Sequence, residues 1–107
     1  MATFFISRHQ GATAWIQQQA VHIDHFLSHL VPELVQPGDC VIGTLPLHLI
    51  ATVQQQGARY LHLTLTVPEH LRGQELTVQQ LAECQATIRE FTVHRVEGDI
   101  AWPHKDT

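Results

Sequence analysis

Residues 40–66, CVIGTLPLHLIATVQQQGARYLHLTLT, contain the pattern that decides the fold. Cys40–Gly43 is a short apolar run typical of a buried strand, and the apolar residues from Leu47 to about Gln56 recur at helical spacing. Gly57 follows as the residue that ends this helix. Arg59–Thr66 then alternates leucine with polar or aromatic residues, which indicates a second strand. A strand, a helix and a strand in this order predict a parallel β-α-β unit.

The segments before this unit continue the alternation. Thr3–Ser7 is apolar, β-branched and aromatic and has no basic residues before it, so we interpret it as a first strand and not as a signal peptide. The pattern further predicts a helix at Ala12–Gln19, a strand at Val21–Phe26 and one helical turn at Val31–Val35.

The segments after the unit predict a loop, a helix and a last strand. Thr77 and Gln80 have the spacing of a capping box, which starts a helix. The expected elements are a polar loop at Val67–Leu76, a helix from Thr77 to about Glu90, a strand at Phe91–Val96 and a tail at Gly98–Thr107 with Trp102 as its candidate anchor.

Strands that alternate with helices predict one α/β domain over residues 1–107. We expect a small Rossmann-like, three-layer domain, with a mainly parallel sheet between helices on both faces. Ligands of such sheets bind beyond the carboxyl ends of the strands, where the strand order reverses. That rule directs attention to Arg8–Gly11, Gly43–Pro46 and Val67–Glu75.

The composition excludes several classes of protein. Six Lys+Arg against ten Asp+Glu give a net charge of −4, so we expect no binding of long nucleic acid. No apolar stretch is long enough to span a bilayer. The two cysteines, Cys40 and Cys84, have no CxxC spacing; we interpret them as small buried apolar residues in a reducing, cytoplasmic setting.

Two of the three segments combine polar side chains with a predicted helix start, which suits an anion. Ser7-Arg8-His9-Gln10-Gly11 is either such a site or an ordinary polar turn. Gly43–His48 joins a strand to a helix but lacks the Gly-Lys-Ser/Thr end of a P-loop, and His48 is either a catalytic base or a buried core histidine. In the third segment Arg72 can reach a phosphate, although such loops are commonly only solvated.

Other site chemistries find little support. His22, His25 and His29 would share one face of a helix, but in a strand His22 and His25 point to opposite faces. We therefore expect solvated or partner-facing histidines and no metal, with a small histidine-based metal-binding protein as a lesser hypothesis. No G-x-S-x-G nucleophile elbow is present.

Taken together, four motifs carry a family resemblance: Ser7-Arg8-His9-x-Gly11-Ala12-x-x-Trp15, Gly38-Asp39-x-Val41-Ile42-Gly43-Thr44-Leu45-Pro46-x-His48-Leu49, Arg59-Tyr60-x-His62-Leu63-x-Leu65 and Leu71-Arg72-Gly73-x-Glu75-Leu76. The combination resembles the small stand-alone accessory proteins of type III CRISPR loci, the Csx-type proteins. Their fold is similar to the CARF (CRISPR-associated Rossmann fold) domain. The resemblance extends from Thr3 to about Leu76, and Gly-Thr-Leu-Pro-x-His is its most specific part.

The resemblance implies a cyclic oligoadenylate ligand, above all cyclic tetra-adenylate, the second messenger of type III CRISPR immunity. It implies a ring nuclease that degrades this messenger, or a protein that captures it without cutting. As a ring nuclease the protein would use the ribose 2′-hydroxyl as nucleophile, without metal or cofactor, and would act as a homodimer with the ring across its two-fold axis.

The expected roles follow from that chemistry. Arg8 and Arg72 would stabilise phosphate, and His9 or His48 would be the base or acid. Ser7 and Thr44 would donate to phosphate oxygens. The remaining ligand-binding positions expected are Gly11, Trp15, Gly43, Leu45, Pro46 and Glu75.

Overall fold

The computed structural model describes residues 1–103 of the chain. Its strands are β1 (Thr3–Ile6), β2 (His25–Leu27), β3 (Cys40–Gly43), β4 (Arg59–Thr64) and β5 (Thr87–Glu90). Its α-helices are α1 (Gln10–Gln17), α2 (Leu47–Gln55) and α3 (Val78–Glu83), with short 3-10 turns at Pro32–Leu34 and Glu69–Leu71. Within residues 1–103, every helix is too short or too polar to cross a bilayer.

The five strands form one sheet in the order β2-β1-β3-β4-β5. β1 pairs in parallel with both β2 and β3, β3 pairs in parallel with β4, and β5 is antiparallel to β4. The chain leaves β1 for the β2 edge and then returns to β3 on the other side of β1. The strand order therefore reverses between β1 and β3, and the predicted mainly parallel α/β sheet is confirmed.

Each face of the sheet has its own apolar core, which gives three layers. On one face, Phe4, Val41 and Tyr60 belong to a cluster with Ile50 and Val53 of α2. On the other face, Phe5, Ile42 and Leu63 belong to a cluster with the apolar sides of α1 and α3, namely Ala12, Trp15, Ile16 and Leu81. The alternation of leucines with polar or aromatic residues along β4 thus predicted correctly which residues share a face.

The β3-α2-β4 unit forms where the sequence predicted it. α2 begins after Pro46, a residue that fits a helix start, and Gly57 follows its end with φ +93. The capping box at α3 is also present, because Gln80 N–H donates to Thr77 Oγ1 and Thr77 N–H donates to Gln80 Oε1.

The predicted helix from Thr77 to Glu90 and the predicted strand at Phe91–Val96 are wrong. α3 ends at Glu83, Gln85 adopts a left-handed conformation with φ 60, and the strand is Thr87–Glu90. Tertiary contacts select this strand: Arg59 on β4 donates two hydrogen bonds to the carboxylate of Glu90, at 2.9 and 3.0 Å. Ile88, which has helical spacing in the sequence, instead packs against the α1/α3 core from β5.

Two further predictions need correction. The strand predicted at Val21–Phe26 is His25–Leu27, and it begins after Asp24, whose carboxylate accepts a hydrogen bond from Thr3 N–H at 2.8 Å. Trp102 does not anchor the tail, since its side chain is 78% exposed. Residues 104–107 of the predicted tail lie outside the described residues.

Asp39 ties the start of β1 to the turn that precedes β3. It is the one buried charged residue of residues 1–103, and its two carboxylate oxygens accept hydrogen bonds from Ala2 N–H at 2.8 Å and Gln36 N–H at 2.9 Å. These backbone donors, Gln36 first, hold the pKa of Asp39 below its usual value. The ionised carboxylate therefore stabilises the folded protein.

We predict that Asp39→Asn lowers the free energy of unfolding at pH 7 by about 1–3 kcal/mol, since an amide supplies one acceptor oxygen for two donors. Because the pKa of Asp39 is lower in the folded state, its contribution is present above pH about 4 and lost as the pH falls further. Urea denaturation at several pH values tests this. Asp99→Asn, at an exposed carboxylate, is the control, and equal stability of the two variants would contradict the assignment.

Candidate functional site

The candidate site lies at the carboxyl ends of β1 and β3, where the strand order reverses. β1 leads directly into Ser7–His9 and β3 leads into Thr44–Pro46, so the two segments lie side by side. Two cavities open at this edge, of about 230 and 400 Å³. Both are lined by Ile6, Ser7, His9 and Thr44, so these residues form the boundary between them.

The smaller cavity is on the α1/α3 side of the sheet and is mainly apolar. Its walls come from three directions: the sheet, the two helices and the loop after β4. We call it the apolar cavity; apart from the four shared residues, it is lined by Phe5, Ala12, Gly43, Leu63, Leu65, Gln74, Leu76 and Leu81.

The larger cavity is on the α2 side of the boundary and carries more polar side chains. Arg8 and His29 are its cationic or titratable members besides His9, and Ser28 adds a hydroxyl. We call it the polar cavity; its remaining walls are Leu30, Leu45, Pro46 and Leu49. The two cavities thus offer different chemistry on the two sides of one row of residues.

Both helices that begin at this edge start without a side-chain cap. His9 precedes α1 and Pro46 precedes α2, and neither side chain accepts a hydrogen bond from the first turn. The first turns also contain no acidic residue. First-turn N–H groups carry the positive end of the helix dipole, so both helix starts favour an anion nearby, and the start of α2 lies at the polar cavity that Pro46 and Leu49 line.

Ser7 and His9 are held to each other by the backbone. His9 N–H donates to Ser7 Oγ at 3.1 Å, so the serine hydroxyl stays at the boundary between the cavities. The backbone of Ser7 is in turn fixed to the neighbouring strand, since Ser7 N–H donates to Leu27 O at 2.9 Å. The segment after β1 is therefore an ordered turn and not a loose loop.

The imidazole of His9 is paired with the carboxylate of Glu75. The contact joins His9 Nδ1 to Glu75 Oε2, and both side chains are more than half exposed. Because the carboxylate accepts from Nδ1–H, it orients the ring and leaves Nε2 free to exchange a proton. An oriented imidazole at a cavity edge is suited to general acid–base chemistry.

Gly11 brings the loop after β4 onto α1. A Cβ at this position would lie 1.9 Å from Leu76 O, so only glycine allows the two backbones to approach this closely. The contact places Gln74 and Glu75 beside the start of α1. Gly11 therefore shapes the site through packing.

Tyr60 fixes the turn between β3 and α2 through hydrogen bonds to its backbone. The side chain is fully buried, and its hydroxyl donates to Gly43 O at 2.9 Å and accepts from Leu45 N–H at 3.0 Å. Burial raises the pKa of Tyr60 to about 12, so the phenol keeps its proton at neutral pH. Thr44, between the two bonded residues, is held at the boundary of the cavities.

The same hydroxyl determines the tautomer of His62. The hydroxyl oxygen of Tyr60 lies 2.7 Å from His62 Nδ1. The single hydroxyl proton is donated to Gly43 O, because a carbonyl oxygen can only accept. His62 must therefore carry its proton on Nδ1 and donate to Tyr60. Burial lowers the pKa of His62, so the neutral ring is the favoured form.

The structure brings together most of the residues predicted from sequence. Seven of them line the two cavities at the β1/β3 edge and an eighth is paired with His9; these are Ser7, Arg8, His9, Gly43, Thr44, Leu45, Pro46 and Glu75. Pro46 also precedes α2.

Four predicted residues are placed elsewhere. Trp15 is buried in the α1/α3 core, and Gly11 packs against the loop. His48 is exposed in the first turn of α2 and lines neither cavity, so the alternative of a buried core histidine is wrong. Arg72 lines a separate hollow of about 400 Å³ in its own loop, which shares Leu65, Gln74 and Leu76 with the apolar cavity.

Sequence reasoning gave no role at this edge to four residues, although it named Tyr60 and His62 in a motif and considered His29 as a metal ligand; the four are Tyr60, His62, Gln74 and His29. The alternation along β4 placed Tyr60 on a buried face, where a phenol needs a hydrogen-bond partner, so that signal was available. Gln74 and His29 lie in irregular segments, and only tertiary folding brings them to the cavities.

The histidines and cysteines form no metal centre within residues 1–103, where no three potential ligands are grouped. His22 instead contacts Asp24 at 3.0 Å, and His25 stacks on Phe4. Cys40 and Cys84 are both buried and free, which confirms their interpretation as small apolar residues.

Comparison with known proteins places the chain in a family. No curated protein and no solved structure matches it. Residues 4–94 match the family described as "Putative CRISPR-associated protein (Cas_VVA1548)". The matched span runs from β1 to beyond β5 and includes the lining of both cavities. Because the match covers most of the chain, the protein belongs to this family of CRISPR-associated proteins.

Proposed function

We propose that the protein is a ring nuclease that binds and cleaves cyclic tetra-adenylate in the cytoplasm and thereby switches off type III CRISPR defence. The observation that carries the proposal is the pair of cavities that meet at Ser7, His9 and Thr44, with Arg8 beside them. A nucleotide has an apolar base and an anionic phosphate, and the two cavities differ in the same way. Membership of a CRISPR-associated family supports the choice of messenger.

The charge distribution is compatible with such a ligand. The chain has a net charge of −4, which opposes binding to the long backbone of DNA or RNA. A cyclic tetranucleotide is compact and needs positive potential only where its phosphates lie. Arg8 and the uncapped starts of α1 and α2 supply that potential locally.

The proposed reaction uses the substrate's own ribose as nucleophile. The 2′-oxygen attacks the adjacent phosphorus in line, the bond from phosphorus to the 5′-oxygen breaks, and the products end in a 2′,3′-cyclic phosphate and a 5′-hydroxyl. The 2′-hydroxyl gives up its proton and the leaving 5′-oxygen gains one, so no metal or added cofactor is required. The protein has to position the phosphodiester, move protons and stabilise the phosphoryl charge.

The geometry favours His9 over His48 for proton transfer. His9 lies on the boundary of both cavities with its ring oriented by Glu75, whereas His48 lines neither cavity. Ser7 and Thr44, at the same boundary, donate to non-bridging oxygens of the scissile phosphate. Arg8 stabilises its charge, and Arg72 serves a phosphate further around the ring.

The proposal includes a homodimer. Neither cavity alone exceeds about 400 Å³, which is at the lower end of the range for drug-sized ligands and too small for a ring of four nucleotides. Two copies related by a two-fold axis would present the same boundary residues to opposite halves of the ring. Two equivalent phosphodiesters would then be cleaved, giving di-adenylate products.

We predict that the protein converts an excess of cyclic tetra-adenylate to linear product in the presence of a chelator. Replacing Arg8 and His9 together by alanine should lower the turnover rate by at least about 10²-fold, the usual contribution of one acid–base group. Chromatography and mass measurement of the products give the rate. The matched control is His94→Ala with Arg95→Ala, at exposed residues outside both cavities.

Three outcomes would count against parts of this mechanism. Unchanged turnover in the Arg8/His9 variant would remove the assignment of these residues. Loss of turnover with chelator, restored by added metal, would replace the metal-independent reaction. Tight binding that protects one equivalent of ring without turnover would show the alternative function, sequestration of the messenger.

We also predict that Tyr60→Phe weakens the site through the turn after β3. Leu45 N–H and Gly43 O lose their shared partner, so we expect a loss of about 1–3 kcal/mol in unfolding free energy and a lower cleavage rate at temperatures where the variant is folded. Thr64→Val is the control, since it removes a hydroxyl from β4 that bonds to Thr87 and not to the turn. A Tyr60→Phe enzyme with the activity and stability of the control would refute this role.

Native mass spectrometry tests the assembly. We predict one ring of cyclic tetra-adenylate bound by two chains, measured with His9→Ala, which keeps Arg8, if the wild type cleaves too fast. A complex of one chain with one whole ring would contradict the shared site.

A further inference from the structure

We propose that the apolar cavity is the binding site for one adenine base and that Gln74 is the residue that selects adenine over other purines. The inference rests on the proposed function and adds to it a specificity-determining residue. It is carried by the size and lining of the cavity and by the hydrogen bonds of the Gln74 side chain.

The cavity has the size and polarity of a subsite for a single base. Its volume of about 230 Å³ is below the roughly 300–1,000 Å³ of sites for drug-sized ligands. The cavity can therefore hold one flat base but not two linked nucleotides. Phe5, Leu63 and Leu81 provide apolar surface for the faces of such a ring. Ser7 and His9 stand at the side shared with the polar cavity, where the attached sugar and phosphate would emerge.

Gln74 is the one side-chain amide in this lining. Its Nε2 donates to His70 O at 3.0 Å, and a backbone carbonyl can only accept, so the orientation of the amide is determined. The Oε1 atom is therefore the remaining polar atom, and among residues 1–103 it accepts no hydrogen bond. Because Gln74 lines the cavity and is exposed, this acceptor is open to solvent and available to a donor on a ligand.

The position of Gln74 is set by its neighbours in the chain. Glu75 is paired with His9, and Leu76 O lies against Gly11. Thr77 then caps α3 through the reciprocal bonds with Gln80. The three residues that follow Gln74 thus all make contacts at the start of a helix, two at α1 and one at α3. These contacts hold Gln74 at the cavity.

An acceptor at this place discriminates between purines at their sixth position. Adenine carries an amino group there, which donates a hydrogen bond, whereas hypoxanthine and guanine carry an oxygen that only accepts. Two acceptors facing each other repel and leave both without a partner. The cavity should therefore accept adenine and reject the 6-oxo purines.

The test compares cyclic tetra-adenylate with cyclic tetra-inosinate, whose bases carry an oxygen in place of the 6-amino group and a proton on the adjacent N1. Dissociation constants are measured by calorimetry with the wild-type protein, Gln74→Leu and the matched control Gln79→Leu, an exposed glutamine on α3 outside the cavity. To prevent cleavage, all three carry His9→Ala in a parallel series. Thermal unfolding confirms that the variants are folded.

We expect the wild type and Gln79→Leu to bind the adenine ring at least about tenfold more tightly than the inosine ring. Gln74→Leu should bind the two rings within about threefold of each other. A Gln74→Leu protein that keeps the full preference would overturn the assignment of Gln74 while leaving the proposed function intact. Failure of every protein, wild type included, to bind cyclic tetra-adenylate would overturn the proposed function and this inference with it.

Discussion

The hydroxyl of Tyr60 is the contact on which the candidate site depends. One buried oxygen joins the carbonyl of Gly43 to the amide of Leu45, so the last residue of β3 and the start of the turn before α2 are held at a defined separation. Without it, a buried donor and a buried acceptor would both lack partners, which is costly inside a protein. Tyr60 is the single tyrosine of the chain.

That turn matters because it lies beside the segment after β1, at the reversal of strand order. The sheet has different helices on its two faces, so a ligand that reaches over the edge meets an apolar wall on the α1/α3 side and Arg8 with the uncapped start of α2 on the other. Ser7, His9 and Thr44 form the narrow row between the two environments. A molecule with an apolar part and an anionic part is the natural ligand for such a boundary.

The sequence predicted the β3-α2-β4 unit because its signals are local: an apolar run, a proline at the helix start, a glycine at its end and clean alternation in β4. It failed at residues 77–96, where Ala86 and Ile88 continue the helical spacing of Leu81 and Ala82 but, being two residues apart, also fit a strand. The decision there comes from the antiparallel pairing with β4 and from the ion pair of Arg59 with Glu90, contacts that join residues far apart in sequence. Local patterns were likewise sufficient for only part of the site. Motifs identified Ser7–His9 and Gly43–Pro46, but the positions of Gln74 and His29 depend on how loops fold over the sheet edge.

The two arginines of the predicted site illustrate how fold restricts chemistry that sequence leaves open. Arg8 and Arg72 have the same charge and each follows a strand, so their motifs imply similar roles. In the structure Arg8 lines the polar cavity together with Pro46 at the uncapped start of α2, while Arg72 lines a hollow of its own loop on the apolar side. A phosphate at the boundary row, as we propose, would meet Arg8 together with the positive end of the α2 dipole, a combination that stabilises charge better than one exposed guanidinium. Our proposal that His9 and not His48 transfers the proton has the same basis, since His9 lies in that row beside an orienting carboxylate and His48 lines neither cavity.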